Sequence, residues 1–155
     1  MSSVENVQLA KVGPWQFDIP EGWRHKDNES SESYFEAPDG EKGLYVKCIE
    51  LPDPQASPQA VAEYVQGIHF KAFTELSGSR WTVMGRTVGE QEGIVRSVLD
   101  LYDAQANYRV LSLVVCGKQR AVQITVHDYW CTDYGATCNA FGPLVASVHN
   151  TQPMV

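Results

Sequence analysis

Hydrophobic and polar positions alternate at 15–19, where Gln16 and Asp18 separate Trp15, Phe17 and Ile19. A period of two predicts a strand with one buried face. Pro20-Glu21-Gly22-Trp23 then turns the chain. A short strand is predicted over 33–37, closed by Pro38-Asp39-Gly40, three residues that favour a turn. A longer strand, rich in Tyr, Val and Ile, follows over 43–51. The period changes after that. Ser57-Pro58 places an N-cap before a proline at the first helical position. Val61, Tyr64, Val65, Ile68, Ala72 and Leu76 recur at helical spacing, which predicts a helix over 58–76 that buries this stripe and ends at Gly78.

Four further strands are predicted over 81–88, 93–103, 108–116 and 121–130. Connections as short as 89–92, 104–107 and 117–120 make them an antiparallel meander. The stretch 108–116 is apolar on both faces, so it belongs at the sheet centre. Val122, Ile124, Val126 and Trp130 share one face of the last strand, and Asp128 falls on that face too. Asp128 either emerges at the strand end or is a buried carboxylate that needs a partner. Phe141, Leu144, Val145 and Val148 mark a final short helix. The expected fold class is α+β, one antiparallel sheet flanked by helices, in a single domain over 1–155 with loose ends at 1–10 and 150–155.

The chain has 155 residues, of which 43% are hydrophobic and 20% charged, which fits one globular domain and not a disordered chain. Its formal charge is 12 − 19 = −7. That excludes duplex nucleic acid and anionic membrane as expected partners, because both call for a basic face, and it favours a basic partner. Residues 1–6 show no basic stretch leading into an apolar run, and no run approaches the roughly 18 apolar residues of a membrane span, so a cytoplasmic location is expected. Cys48, Cys116, Cys131 and Cys138 form no dense framework. Cys48 and Cys116 read as small core residues. A Cys131–Cys138 bridge would need an oxidising compartment.

His127, Cys131 and Cys138 lie close together with Asp128 and Asp133, but their spacing matches no zinc pattern and there is no CxxC, so no metal is expected. Neither a G-x-S-x-G elbow nor a phosphate-binding glycine loop is present, and no catalytic residue or cofactor is expected. Arg96 and Asp100 face the same way and predict an ion pair on a solvated sheet face, with Asp103 further along. Asn28-Glu29-Ser30 matches a glycosylation sequon by chance in a cytoplasmic chain. Tyr129, Trp130 and Tyr134 gather beside Asp128 and Asp133, a mixture that suits a protein-binding surface. The acidic loops carrying Glu29 and Glu32, and Asp39 and Glu41, complete the expected partner-binding set.

Trp15-Gln16-Phe17-Asp18-Ile19-Pro20-Glu21-Gly22-Trp23 resembles the F-x-hydrophobic-P-x-G-W opening of the PsbP-like α/β/α-sandwich proteins. The order of elements over about 12–150 is similar to that fold too. This group includes extrinsic photosystem II proteins, a Ran-binding import factor, DcrB-type bacterial lipoproteins and proteins linked to type VI secretion. The resemblance implies the sandwich fold and a role in binding proteins. For a small acidic chain it points to a cytoplasmic immunity protein that neutralises a secreted toxin, with an effector chaperone or adaptor as the alternative. A small-ligand or metal-binding enzyme using His127, Asp128 and the loop thiols is a third expectation.

Overall fold

The computed structural model describes residues 7–26, 32–51, 53, 55–75 and 80–151. The elements in chain order are β1 (Val7–Val12), β2 (Trp15–Pro20), β3 (Arg24–Lys26), β4 (Ser33–Glu36), β5 (Lys42–Glu50), α1 (Pro58–Thr74), β6 (Thr82–Gln91), β7 (Ile94–Asp103), β8 (Tyr108–Cys116), β9 (Arg120–Asp128), α2 (Tyr134–Ser147) and β10 (His149–Asn150). Among the described residues, a seven-stranded sheet runs β3-β4-β5-β9-β8-β7-β6, and a three-stranded sheet runs β1-β2-β10. Every pairing is antiparallel.

The pleat sorts the large sheet into two faces. On one, Leu44, Val46, Leu111, Leu113, Val115, Val122, Ile124 and Val126 pack against the small sheet and α2, which supply Trp15, Phe17, Ile19, Phe141 and Leu144. On the other, α1 covers Val95, Val114, Cys116 and Ala121 with Ala62, Val61 and Val65. The architecture is α+β, with β8 between β9 and β7 near the sheet centre, as its two apolar faces predict. Among the described residues, no helix is long and apolar enough to cross a membrane.

Several expectations are corrected. Residues 7–10 are not loose: they belong to β1, which pairs with β2 and buries Ala10. Asn150 pairs with Trp15 through β10. The start of α1 is as predicted, with the Ser57 hydroxyl accepting from the Ala60 N–H at 3.4 Å, but the helix is rotated relative to its apolar stripe. Tyr64 is 71% exposed and Ile68 also faces outward, while Gln66 is buried. The reason is a hydrogen-bond set that hydropathy does not register. Gln66 Nε2 donates to the carbonyls of Thr87 and Val98, each at 3.1 Å, and its Oε1 accepts from Arg86 Nε at 3.2 Å. A buried amide whose donors and acceptor are all used carries little desolvation penalty, so it can hold the sheet side of a helix. Leu76 and Gly78 lie outside the described residues. Cys48 is exposed, because among the described residues β4 pairs only with residues 43–46 and leaves β5 without an outer neighbour at this point; Cys116 is buried.

Candidate functional site

The α1 face of the large sheet changes character along its length. Near the start of α1 it is aliphatic, whereas towards Phe73 it becomes a tray of rings. On β9, Ala121, Gln123, Thr125 and His127 point to this side, while Val122, Ile124 and Val126 point to the core. On β5, Tyr45 lies opposite Thr125 and Lys47 opposite Gln123. His69 and Phe73, one helical turn apart on α1, close the other side. Glu32, Tyr45, Lys47, His69, Phe73, Gln123, Thr125 and His127 line the resulting cavity.

The two imidazoles are held by neutral partners. His69 Nδ1 is 2.9 Å from the Ser112 hydroxyl, and Gln123 Nε2 is 2.8 Å from His69 Nε2. A proton on Nδ1, donated to Ser112, lets Nε2 accept from the Gln123 amide. Ser112 is buried beneath the helix, so the pair is a packed hydrogen bond and not an exposed nucleophile with its base. His127 Nδ1 is 2.6 Å from the Tyr108 hydroxyl. Burial lowers the His127 pKa to about 4, with His69 adding to the effect, and it lowers that of His69, helped by Lys47. Burial also pushes Tyr108 up to about 12. A protonated phenol beside a neutral imidazole fits Tyr108 donating to Nδ1, which leaves the His127 proton on Nε2. Near pH 7 the two imidazoles therefore offer uncharged donors and acceptors, and Lys47 and Glu32 are the charged groups of the lining.

The rings continue outward from His127. Tyr129 stacks on it with centroids 5.6 Å apart and planes 9° apart. Tyr108 meets Tyr129 at 5.5 Å, Tyr45 meets His127 at 5.6 Å and Tyr34 meets Tyr45 at 4.6 Å. Gly43 makes this possible, since a Cβ there would lie 2.6 Å from Tyr34 Cε2. Beyond Tyr129 the chain turns, and Trp130 projects into solvent.

The expected partner-binding residues divide. Asp39, Glu41, Tyr129, Trp130 and Asp133 are exposed. Asp39 Oδ1 accepts from the Glu41 N–H at 2.9 Å, and the Glu41 carbonyl accepts from the Tyr129 N–H at 2.9 Å, so the Asp39–Glu41 turn sits against the Tyr129–Trp130 turn. Glu32 is half-buried at the cavity, apart from those turns. Glu29 lies outside the described residues, as does the sequon around it.

Asp128 and Tyr134 are not free for a partner. Asp128 is 0% exposed, because it lies on the core-facing side of β9, in line with Val122, Ile124 and Val126 and opposite Arg109, and does not emerge from the sheet. Its Oδ1 accepts from the Trp130 N–H at 3.2 Å, and its Oδ2 has no partner among the described residues. The Tyr134 hydroxyl donates to Asp100, and the Tyr134 ring lies under the Arg109 guanidinium at 4.2 Å. Asp100 does not pair with Arg96 on a solvated face. Arg109 grips it at 3.0 and 2.8 Å in a buried pair, and Arg96 donates to the Val148 carbonyl at 2.9 Å. α2 covers this face, so Asp100 is buried and takes Arg109 as its partner in place of Arg96. Asp103 Oδ1 instead accepts from the N–H groups of Gln105 and Ala106 and fixes the β7–β8 turn. Among the described residues, no three His, Cys, Asp or Glu side chains gather as a metal site; Cys131 is buried and Cys138 exposed, and no disulfide joins them.

No protein-family model and no curated protein sequence matches the chain. Solved structures do. The solution structure of cyanobacterial PsbP (CyanoP) from Synechocystis sp. PCC 6803 superimposes with a TM-score of 0.71 at 16% identity, over 96% of this chain and 94% of that one. The chain has a PsbP-like fold. A crystal structure from Bacteroides thetaiotaomicron VPI-5482 matches at a TM-score of 0.51 and 11% identity, over 90% of this chain and 46% of that one. The PsbP-like fold explains why Phe17, Ile19 and Trp23 of the opening motif are all buried: the motif builds the small sheet's core face and its exit turn. It assigns no function to the cavity or the aromatic turn.

Sequence reasoning found Tyr129 and Trp130 but missed His69, Tyr45, Tyr108, Gln123 and Thr125. One signal was present. Gln123, Thr125 and His127 alternate as a polar face on a strand next to the most apolar strand of the chain. A polar face on an inner strand needs a reason.

Proposed function

We propose that this chain is a protein-binding module whose contact surface is the Tyr129–Trp130 turn, framed by Asp39, Glu41 and Asp133. The observation that carries this reading is Trp130, 57% exposed on a turn whose backbone is fixed. Tyr129 N donates to Glu41 O, Trp130 N to Asp128 Oδ1, and Cys131 N to Asn107 O. Large aromatics presented on a pre-ordered backbone lose little freedom on binding, and they are the residue types that dominate interface energetics. Acidic residues around them and a net charge of −7 suit a partner with an apolar pocket and a basic rim. In this reading the chain acts by occupying its partner.

A cytoplasmic immunity protein that covers a toxin's basic working surface is the form of this role that the charge supports. A chaperone or adaptor for a type VI secretion effector is the second form, supported by the resemblance of the opening motif to the PsbP-like group, which includes proteins linked to type VI secretion. The test compares tagged wild type with Trp130→Ala as baits in the native host. The expected result is one partner, held one-to-one by wild type, bound at least about tenfold more weakly by the variant, with the melting temperature unchanged. Equal capture by both baits, or none by either, overturns the reading. Co-expression that abolishes the partner's toxicity identifies immunity, and secretion that fails without this chain identifies chaperoning.

A further inference from the structure

The cavity between α1 and the β5–β9 pair has a volume of about 240 Å³ and lies beside the aromatic turn, with Tyr129 stacked on the outer side of His127. Its walls are rings from two different elements, Tyr45 of β5 and Phe73 of α1. Its inner polar groups come from one strand: Gln123 and Thr125, both nearly fully buried, with His127 beyond them. Lys47 and Glu32 also line it, Lys47 exposed and Glu32 half-buried.

Two polar groups here are unused. Neither the Thr125 hydroxyl nor His127 Nε2 hydrogen-bonds to a described residue, and neither atom is sealed from solvent, so both open onto the cavity. Polar groups that face a ring-walled cavity are hydrogen-bonded by water, and an occupant that displaces this water has to supply the same bonds. What meets them must fit between rings and present both donors and acceptors at one edge. We propose that the cavity binds an uncharged planar nitrogen heterocycle of one or two fused rings, of the size and polarity of a nucleobase. The ring would lie between Tyr45 and Phe73 with its polar edge on Thr125, Gln123 and His127. The volume falls below the roughly 300–1,000 Å³ of sites for drug-sized molecules and suits one small ring system. An anion would have one exposed lysine to meet it, and the imidazoles are held neutral, so charge is not what the site selects.

The test is a titration of the isotope-labelled full chain with adenine and with cytosine, followed by NMR of the His69 and His127 rings and the Thr125 methyl. Benzoate serves as a planar anion of similar size. Saturable shifts at these three residues with adenine or cytosine, and binding of benzoate at least about tenfold weaker, are expected. Thr125→Val, which keeps the shape and removes the hydroxyl, should weaken heterocycle binding about tenfold. Phe73→Leu should weaken it through the wall, and it keeps the test decisive if the valine variant does not fold. Trp130→Ala should leave it unchanged, which separates this site from the protein contact. No saturable shift with either base, equal affinity for benzoate, or indifference to both cavity variants overturns the proposal.

Discussion

Arg109 stands directly opposite Asp128 in the β8–β9 ladder, yet its guanidinium forks onto Asp100 of β7, on the other side of its strand. Tyr134 explains the choice. Its hydroxyl donates to the same carboxylate while its ring backs the guanidinium, so α2 is joined to the sheet through one charged pair. Replacing Asp100 with Ala would strand a buried cation, and a loss of about 3–5 kcal/mol is expected. Tyr134→Phe removes one hydrogen bond and should cost about 1–2 kcal/mol. Urea unfolding of the two variants checks both the size and the order of these effects.

Gln66 holds α1 to the sheet through the carbonyls of Thr87 and Val98. Gln66→Leu keeps the bulk and leaves Arg86 without its amide acceptor, so a loss of about 1–3 kcal/mol is expected. Ile68→Gln, on the exposed side of the same helix, should change stability by less than about 0.5 kcal/mol. The opposite order would be expected if the apolar stripe were the buried face, and thermal melts distinguish the two.

His127 makes stability depend on pH. Its pKa is about 4 in the folded protein against 6.5 for a free imidazole, so between these values the unfolded chain binds the extra proton. Its contribution is whole above about pH 6.5 and is lost as pH falls towards 4, up to about 3 kcal/mol in total. His69 is shifted in the same direction and adds to the slope. Unfolding free energies of wild type and His127→Asn, measured from pH 7.5 down to about 4.5, should converge as the pH falls.

Gly43 is held by contact and not by backbone angle. Any Cβ there would strike the Tyr34 ring. Gly43→Ala should push Tyr34 off Tyr45 and cost about 1–3 kcal/mol through overpacking. Near-ultraviolet circular dichroism would report the loss of the tyrosine stack, and an unchanged spectrum would contradict this account.

The meander was legible because β7, β8 and β9 carry clean alternation or two-sided apolar runs between short turns. α1 was legible in extent, through Ser57-Pro58, but not in rotation, since what seats it is the hydrogen bonding of Gln66 and His69. β1 escaped because Val7 and Leu9 are exposed and only Ala10 is deeply buried, so its pattern has no apolar face to read. Trp130 was legible as an aromatic in a turn. Asp128 was legible as a carboxylate on an apolar face, with solvent and burial both open, and its place on the core side opposite Arg109 decided for burial. The cavity was legible only in the polar face of Gln123, Thr125 and His127: His69 and Phe73 reach it through the packing of α1 on the sheet, and Tyr45 through the pairing of β5 with β9.

The three-stranded sheet sets an order on folding. β2 is made early, but its second neighbour, β10, and the Ser147 hydroxyl that receives the Asp18 N–H lie near the far end of the chain. During synthesis, Trp15, Phe17 and Ile19 must wait for α2 before they are covered. Closing so long a loop is slow relative to local pairing. The large sheet can therefore zip up β6 to β9 while the opening motif is still bare, and that interval is when the nascent protein is most exposed to aggregation.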